Sequence, residues 1–283
     1  MTVEPARPFD WDGPNGDRWV ANQARLDRML APFGEALIAA AEPREGERAL
    51  DVGCGAGASA FDLADRVGHD GRVVGLDISR ALLERAEVLA RNRTPAVEFR
   101  LADAATAAFA RDFDLVVSRF GVMFFDQPIA AFRNIRSAMK PGGRLAFVCW
   151  RGAAENDRTR LPMGAIRDIV PPPPPPGPDA PGPFAFGDRR RVQGILDQAG
   201  FIDIDIRPFD HPIVFGVGET PDDAIDDAVD NAVSVGPLER ALKGCDAATA
   251  TRALAAVRAA YARKVAPEGV VIEGGAWIVT ARS

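Results

Sequence analysis

The chain has 283 residues and a net charge of −6 at pH 7, with 47% hydrophobic and 26% charged residues. This balance is typical of a globular protein with a sizeable core, and the length allows one large domain or two small ones. No stretch is strongly basic. That argues against a nucleic-acid-binding protein, because such proteins cluster lysine and arginine on one surface.

Cysteine content and hydropathy indicate the compartment. The three cysteines are Cys54, Cys149 and Cys245, and a sparse, odd number suits a reducing environment better than a disulfide framework. None of them lies at ligand spacing from a histidine, so we predict no metal site. No apolar run reaches the roughly 20 residues that cross a bilayer. We therefore expect a cytoplasmic protein that binds neither a membrane nor a nucleic acid.

Hydrophobic periodicity predicts the elements in chain order. The amino-terminal half predicts a helix over 18–41 that Pro32 kinks or splits, strand 48–52, helix 58–67, strand 72–76, helix 79–91, strand 97–101, strand 113–118, helix 128–139 and strand 144–150. The carboxyl-terminal half predicts helix 188–199, strand 202–206, a helix opened by Thr220 and Pro221, helix 247–265 and strand 277–280.

Strands separated by helices pair in parallel through right-handed crossovers, so we predict an α/β fold with a doubly wound, mostly parallel sheet. We predict that residues 1–42 form an amino-terminal cap segment and helix, and that residues 43–283 form the main domain. The main domain carries a proline-rich loop at 171–183 and a helical insertion at 219–266. The proline run predicts an extended connector, with a ligand for a proline-recognition domain as the alternative.

The segment from Ala49 to Gly57 holds the most informative pattern. A buried strand runs into Gly53, Gly55 and Gly57, and a helix follows. Glycine permits positive φ and close approach of the backbone to a ligand, and the start of a helix presents N–H groups. Together they form a cradle for a nucleotide-sized ligand at the carboxyl end of a strand. A tight turn without a ligand is the alternative, and Ala58 completes a dinucleotide-binding pattern as well.

Two carboxylates follow the next strands. Asp77 ends the second strand, where a carboxylate accepts hydrogen bonds from both hydroxyls of an unphosphorylated ribose. Asp103 follows the third strand, where its carboxylate is placed to accept from an adenine amino group. The sequence therefore predicts a site for an adenosine-containing ligand.

Four segments in order and spacing resemble the class I S-adenosylmethionine-dependent methyltransferases, in particular the small-molecule branch that includes the ubiquinone/menaquinone-biosynthesis type. They are Asp51–Gly57, Gly75–Ser79, Phe113–Ser118 and Lys140–Leu145. The resemblance covers about residues 45–150. It implies a Rossmann-like methyltransferase fold with a terminal antiparallel strand pair, for which 202–206 and 277–280 are the candidates, and a helical cap.

The resemblance also implies S-adenosylmethionine as cofactor, S-adenosylhomocysteine as product and a small-molecule acceptor. Two residues of the first helix, Trp19 and Gln23, are candidate contacts if that helix folds over the cofactor. The other implied cofactor-binding residues are Asp51, Gly53, Cys54 and Gly55 in the glycine turn, Asp77 and Ile78 at the ribose, Asp103 and Ala104 at the adenine, and Ser118 and Arg119 at the methyl-donor end.

Methyl transfer from a sulfonium is an in-line displacement, so alignment at about 3–3.5 Å is the main task of the enzyme. A general base is optional. His211 is the candidate, with a solvated surface histidine as the alternative. We expect the acceptor between the carboxyl edge of the sheet and a cap formed by the amino-terminal segment, the proline-rich loop and the insertion.

Two other functions share these features. A nicotinamide-dependent oxidoreductase has the glycines and the ribose carboxylate, but it does not explain Asp51, Asp103 or the Pro141-Gly142-Gly143 turn. A non-catalytic S-adenosylmethionine-binding protein has the whole pattern, because fold does not fix function. Methyl-transfer activity separates the second alternative from an enzyme.

Overall fold

The computed structural model describes residues 9–172, 177 and 179–283. It divides into two compact units. The first contains the described residues up to Trp150 together with Asp179–Phe209 and Ala276–Ser283. The second contains the described residues from Arg151 into the proline-rich loop, and Asp210–Gly275. Residues 173–176 and 178 of the predicted proline-rich connector lie outside the described residues.

The described strands form a mixed sheet in the order β3-β2-β1-β4-β5-β8-β6, with β7 paired to β8. The strands are β1 (Arg48–Val52), β2 (Arg72–Asp77), β3 (Val97–Leu101), β4 (Phe113–Arg119), β5 (Met139–Trp150), β6 (Ile202–Gly216), β7 (Val265–Ala266) and β8 (Gly269–Arg282). Pairing from β3 through β5 is parallel, and β8 runs antiparallel to β5. This confirms the predicted α/β class with its terminal antiparallel strands.

The described α-helices precede β1 or lie between successive strands in the chain. They are α1 (Pro14–Ala21), α2 (Gln23–Ala41), α3 (Ala58–Val67), α4 (Arg80–Ala90), α5 (Pro128–Ala138), α6 (Asp157–Ile166), α7 (Arg189–Ala199), α8 (Pro221–Val235), α9 (Leu238–Leu242) and α10 (Ala247–Ala262). None of the described helices is long and apolar enough to cross a membrane.

The first predicted helix is two helices, and the break is not at Pro32. Pro32 lies inside α2, where the neighbouring Phe33 and Leu37 are fully buried and hold the helix in place. The break lies at Asn22, whose Nδ2 donates to the carbonyl of Arg18 at 2.9 Å. An asparagine side chain competes in this way with the helical hydrogen bonds, so the chain turns there.

The last strands are longer than predicted. Strand β6 runs on to Gly216 through Pro208 and Pro212, and β8 begins at Gly269, before Gly274 and Gly275. Proline and glycine weaken a strand pattern in the sequence, but proline is tolerated in a strand at the edge of a sheet, which is the position of β6. The predicted strand 202–206 therefore ends too early, and the predicted strand 277–280 begins too late.

Arg144 fastens the end of α2 to β5. Its guanidinium donates to both carboxylate oxygens of Glu47, at 2.8 and 2.7 Å, and to the carbonyls of Ala41 and Glu42. Burial is the largest single influence and acts to raise the pKa of Glu47. The hydrogen bonds from Arg144 and from the N–H of Arg44, together with the charge of Arg144, outweigh burial, so the pKa lies below its ordinary value. The two side chains are 16% and 13% exposed, so solvent screens this pair less than a surface ion pair.

We expect Arg144→Leu to lower the free energy of unfolding by about 2 kcal/mol, because it removes hydrogen bonds between charged groups and leaves Glu47 half-buried without its partner. Chemical denaturation measures the change. Arg72→Leu is the matched control, since Arg72 also pairs with a glutamate but both side chains are exposed. Equal losses in the two variants would contradict a special role for Arg144.

Candidate functional site

The carboxyl ends of the parallel strands bring the predicted residues to one edge of the sheet. The glycine turn follows β1, Asp77 ends β2, Asp103 follows β3, and Arg119 ends β4. Strand β1 lies between β2 and β4, with Asp51 opposite both Gly75 and Val117. The chain continues from β1 to β2 on one side, and after β3 it returns to β4 on the other side of β1. The strand order therefore reverses at β1, which is where ligands of doubly wound sheets bind.

The glycine turn needs glycine at each of its three positions. Gly53, Gly55 and Gly57 have φ of 69°, 55° and 92°, a region that side chains other than glycine rarely adopt. A Cβ at Gly55 would meet no atom within 4 Å, so the backbone there borders open space. A Cβ at Gly53 would lie 3.0 Å from the Cα of Gly121. The turn is therefore packed tightly on one side and open to a ligand on the other.

Asp77 is buried and holds the turn directly. Its Oδ2 accepts from the backbone N–H of Gly55 at 2.8 Å, and its Oδ1 accepts from the N–H of Ser79 at 2.9 Å. Burial raises the pKa of Asp77, and the N–H groups of Ser79, Gly55 and Ile78 act in the opposite direction. The residue predicted to bind ribose is thus also a support of the glycine turn.

Asp51 is completely buried beneath the turn. Its Oδ2 accepts from the hydroxyl of Ser59 at 2.7 Å, while Oδ1 has no hydrogen-bond partner among the described residues. Burial raises the pKa of Asp51 to about 7, although Ser59 and the positive charge of Arg119 act to lower it. A buried carboxylate oxygen without a donor is costly, which favours a ligand that supplies an N–H group there.

Asp103 and Ala104 lie in the turn after β3. The Oδ1 of Asp103 accepts from the N–H of Ala105 at 2.8 Å. Ala104 is buried, and its carbonyl accepts from the side chain of Asn134 at 2.9 Å. Leu101, at the end of β3, is 44% exposed. An exposed leucine beside a fixed carboxylate provides an apolar surface and a polar edge, which suits a flat heterocycle.

Ser118 and Gly121 join the ends of β1 and β4. The Ser118 hydroxyl donates to the carbonyl of Val52 at 2.7 Å and accepts from the N–H of Gly121 at 3.2 Å. A Cβ at Gly121 would lie 2.8 Å from that same Val52 oxygen, so only glycine fits. Gly121 was not among the residues predicted from the sequence. Its signal is a glycine two residues after the end of β4, a strand whose last residues were predicted to line the site.

Arg119 belongs to a hydrogen-bonded chain that links β4, α2 and α4. Its Nη2 lies 3.0 Å from Oδ1 of Asp27. Asp27 also accepts from Nε2 of Gln23, whose Oε1 accepts from Arg85 at 3.3 Å. Gln23 therefore contacts Asp27 and Arg85, and it links α2 to α4.

The amino-terminal segment packs on the residues that follow Asp77. Asp12 accepts from the N–H of Arg80 at 3.0 Å, at the start of α4. Gly16 of α1 is buried against Ser79, where a Cβ would lie 2.5 Å from the serine hydroxyl oxygen. Trp19 contacts Trp11 edge to face with a centroid distance of 5.4 Å. Trp11 and Phe9 pack in the same way on Phe124, which follows β4.

Cys54 is buried in the turn, and burial raises the pKa of its thiol, so it is a neutral small residue there. All three cysteines are free thiols. Among residues 9–172, 177 and 179–283, no group of three or more histidine, cysteine or acidic side chains is placed to hold a metal ion. His211 lies on β6, in the second unit, with Nδ1 2.6 Å from the carbonyl oxygen of Pro212.

Residues 49–143 match a family model described as a methyltransferase domain. The chain is 39% identical over 121 residues to aklanonic acid methyltransferase from a Streptomyces species, covering 42% of this chain and 55% of that protein. It is 33% identical over 190 residues to nocamycin O-methyltransferase from Saccharothrix syringae, covering 62% and 66%. The chain thus spans about half to two thirds of the length of these relatives.

A solved structure gives the same fold. The phosphoethanolamine N-methyltransferase 2 of Haemonchus contortus, in complex with phosphomonomethylethanolamine and S-adenosylhomocysteine, superposes with a TM-score of 0.52 at 18% identity, covering 89% of this chain and 52% of that one. At this identity the likeness concerns the fold alone. Together with the family match, it confirms the resemblance stated from the sequence motifs.

Proposed function

We propose that this chain, which carries a methyltransferase domain over residues 49–143, transfers a methyl group from S-adenosylmethionine to a small-molecule acceptor. The observation that carries the proposal is the glycine turn. It borders open space at Gly55, and the buried Asp51 beneath it has a carboxylate oxygen with no donor among the described residues. Such a turn fits a ligand with an amino group, which S-adenosylmethionine has and NAD lacks at the corresponding end.

The other predicted residues fit the rest of this cofactor. Asp77 and Ile78 would hold the ribose, and Asp103 and Ala104 would flank the adenine beside Leu101. The Oδ1 and Oδ2 atoms of Asp77 each accept a hydrogen bond from one backbone N–H group. A carboxylate has further lone pairs that can accept from ribose hydroxyls. The cofactor, when bound, supplies an electrophilic methyl group on its sulfonium. The task of the chain is then to align an acceptor with that group and to exclude water.

The acceptor is proposed to lie beside the aromatic residues of the first unit. Trp11, Trp19 and Phe124 are neighbours that each keep part of their surface exposed, at the edge where β4 ends. An apolar surface of this kind suits a small, partly hydrophobic molecule. The names of the two curated relatives support a small-molecule acceptor, and one of them is an O-methyltransferase.

His211 stays our proposed general base. With Nδ1 so close to the Pro212 carbonyl, the ring proton is expected on Nδ1, and the basic lone pair is then on Nε2. A His211→Gln variant with an unchanged rate on the acceptor found by the screen below would remove this role. A cytoplasmic location is part of the proposal and rests on the three free cysteines.

Calorimetry with S-adenosylmethionine, S-adenosylhomocysteine and NAD tests the cofactor. We expect saturable binding of the first two and none of NAD. A screen of a metabolite panel for release of S-adenosylhomocysteine then tests the reaction. Saturable NAD binding without S-adenosylmethionine binding would support an oxidoreductase, and cofactor binding without turnover on any acceptor would support a non-catalytic binding protein.

A further inference from the structure

We propose that Arg119, positioned by Asp27 and Gln23 of α2, binds the carboxylate at the amino-acid end of the cofactor. The inference rests on the proposed function and deepens it, because it assigns the group that recognises this end of the ligand. It also gives α2, which lies outside the segment that the family model matches, a part in cofactor selection.

The placement of Arg119 is the first observation. Arg119 is the last residue of β4, and β4 pairs with β1, whose Asp51 lies opposite Val117. The side chain is only 13% exposed. A charged guanidinium that is largely shielded from solvent needs anionic partners. Its N–H donors form a planar fork, whose geometry matches the two oxygens of a carboxylate. Arg119 directly follows Ser118, whose hydroxyl donates to the carbonyl of Val52 just before the glycine turn.

The relation between Arg119 and Asp51 is the second observation. Burial raises the pKa of Asp51, and the charge of Arg119 acts in the opposite direction, so the two groups lie within electrostatic reach of each other. They do not meet, because Oδ1 of Asp51 has no hydrogen-bond partner among the described residues and Oδ2 binds Ser59. A cation and an anion held near each other but apart match the two charges of an α-amino acid.

The support of the guanidinium is the third observation. Asp27 accepts from Nη2 of Arg119 at 3.0 Å and also accepts from Gln23, whose amide oxygen binds Arg85 of α4. An arginine has five N–H donors, so an Asp27 contact at Nη2 is compatible with a second carboxylate elsewhere on the fork. Asp27 and Gln23 thus act as positioning residues that fix the direction of the fork.

Binding of three ligands tests the assignment by calorimetry. The ligands are S-adenosylhomocysteine, its decarboxylated analogue, and 5′-methylthioadenosine, which lacks the whole amino-acid end. We expect the unchanged protein to prefer S-adenosylhomocysteine over the decarboxylated analogue by about 10- to 100-fold, the range for hydrogen bonds between charged groups. Arg119→Gln is expected to reduce this preference to about threefold or less. The affinity for 5′-methylthioadenosine is expected to change little, and it also shows that the site is folded in the variant.

Two further variants separate recognition from structural damage. Arg119→Lys keeps the charge without the fork, and we expect an intermediate preference. Asp27→Asn is expected to reduce the preference in part, and Asp27→Glu to restore it. Arg72→Gln is the matched control, because Arg72 is an exposed arginine at the opposite end of β2, and its preference is expected to equal that of the unchanged protein.

The outcomes are distinct. A protein that binds none of the three ligands contradicts the proposed function itself. A protein that binds S-adenosylhomocysteine, but in which Arg119→Gln keeps the full preference over the decarboxylated analogue, overturns the role of Arg119 alone. An Asp27→Asn variant with the full preference overturns the positioning role of Asp27 and leaves that of Arg119 standing.

Discussion

Replacement of Asp77 by alanine is expected to weaken the binding of S-adenosylhomocysteine by ~2 kcal/mol or more, about 30-fold. The ribose hydroxyls lose a charged acceptor, and hydrogen bonds to charged groups contribute about 1.5–3 kcal/mol. The structure adds a second cause. Asp77 accepts from the N–H groups of Gly55 and Ser79, so alanine also leaves both of these groups without their acceptor. The glycine turn is then free to move away from the position that fits the ligand.

Calorimetry on the folded variant measures the loss, and circular dichroism with thermal unfolding checks the fold. Asp103→Ala is the comparison at the next strand. Its carboxylate supports only its own local turn through Ala105, so we expect a smaller loss of affinity and a smaller change in stability. An unchanged dissociation constant in a folded Asp77→Ala protein would refute the ribose assignment.

The sequence predicted those parts of the site that depend on neighbours along the chain. The glycine turn, Asp77 and Asp103 each follow a short apolar strand, and parallel pairing of such strands brings their carboxyl ends together. The strand-turn-helix order around Gly53 and Gly57 was therefore enough to place the candidate cradle. The boundaries of β1 and α3 agree with the prediction for the same reason.

The contacts between distant segments were not predictable in this way. The approach of Gly121 to Gly53, and the hydrogen bond from Arg119 to Asp27, join residues far apart in the chain. Their partners depend on the sheet order and on where α2 packs, and no local spacing encodes either. A single sequence shows such glycines and arginines without showing what they face.

The second unit shows a different limit of prediction from the sequence. Its helix α6 contains Pro162 and Gly164, and helix propensity argues against both. Pro162 is buried and Ile166 is nearly inaccessible, so packing overrides propensity there. The sequence pattern therefore did not predict α6.

We expect the stability of the cofactor-free protein to depend on the ionisation of Asp51. Burial raises the pKa of Asp51 to about 7 in the folded chain, whereas an aspartate in the unfolded chain ionises near 3.9. Below both values the carboxyl is protonated in both states, and this contribution to stability is fully present. As pH rises from about 4 to 7, the unfolded chain releases the proton and the folded chain keeps it, so the free energy of unfolding falls by about 1.4 kcal/mol per pH unit. Above about 7 both states are ionised, and the loss is complete.

Asp51→Asn removes this dependence, and it keeps an oxygen to accept from Ser59. Chemical denaturation of both proteins at pH 5.5 and 8.0 isolates the effect, since the other ionisable groups are shared. The groups that act on Asp51 besides Ser59 are Arg119, Asp77 and Asp62, and all of them remain in the variant. We expect the stability of the unchanged protein relative to the variant to fall by about 2 kcal/mol between these two pH values.

The same substitution is expected to weaken the binding of S-adenosylhomocysteine by about 10-fold or more at pH 8, because an amide cannot offer a negative charge to the amino group of the ligand. A more stable protein that binds its cofactor less well is the expected pattern when a buried charge is kept for binding and not for folding. A stability difference that stays constant from pH 5.5 to 8.0 would show that Asp51 is ionised throughout, and the orphaned oxygen would then have a partner that the described residues do not include. Tight binding of S-adenosylhomocysteine by the asparagine variant at pH 8 would instead leave the buried charge without a part in cofactor recognition.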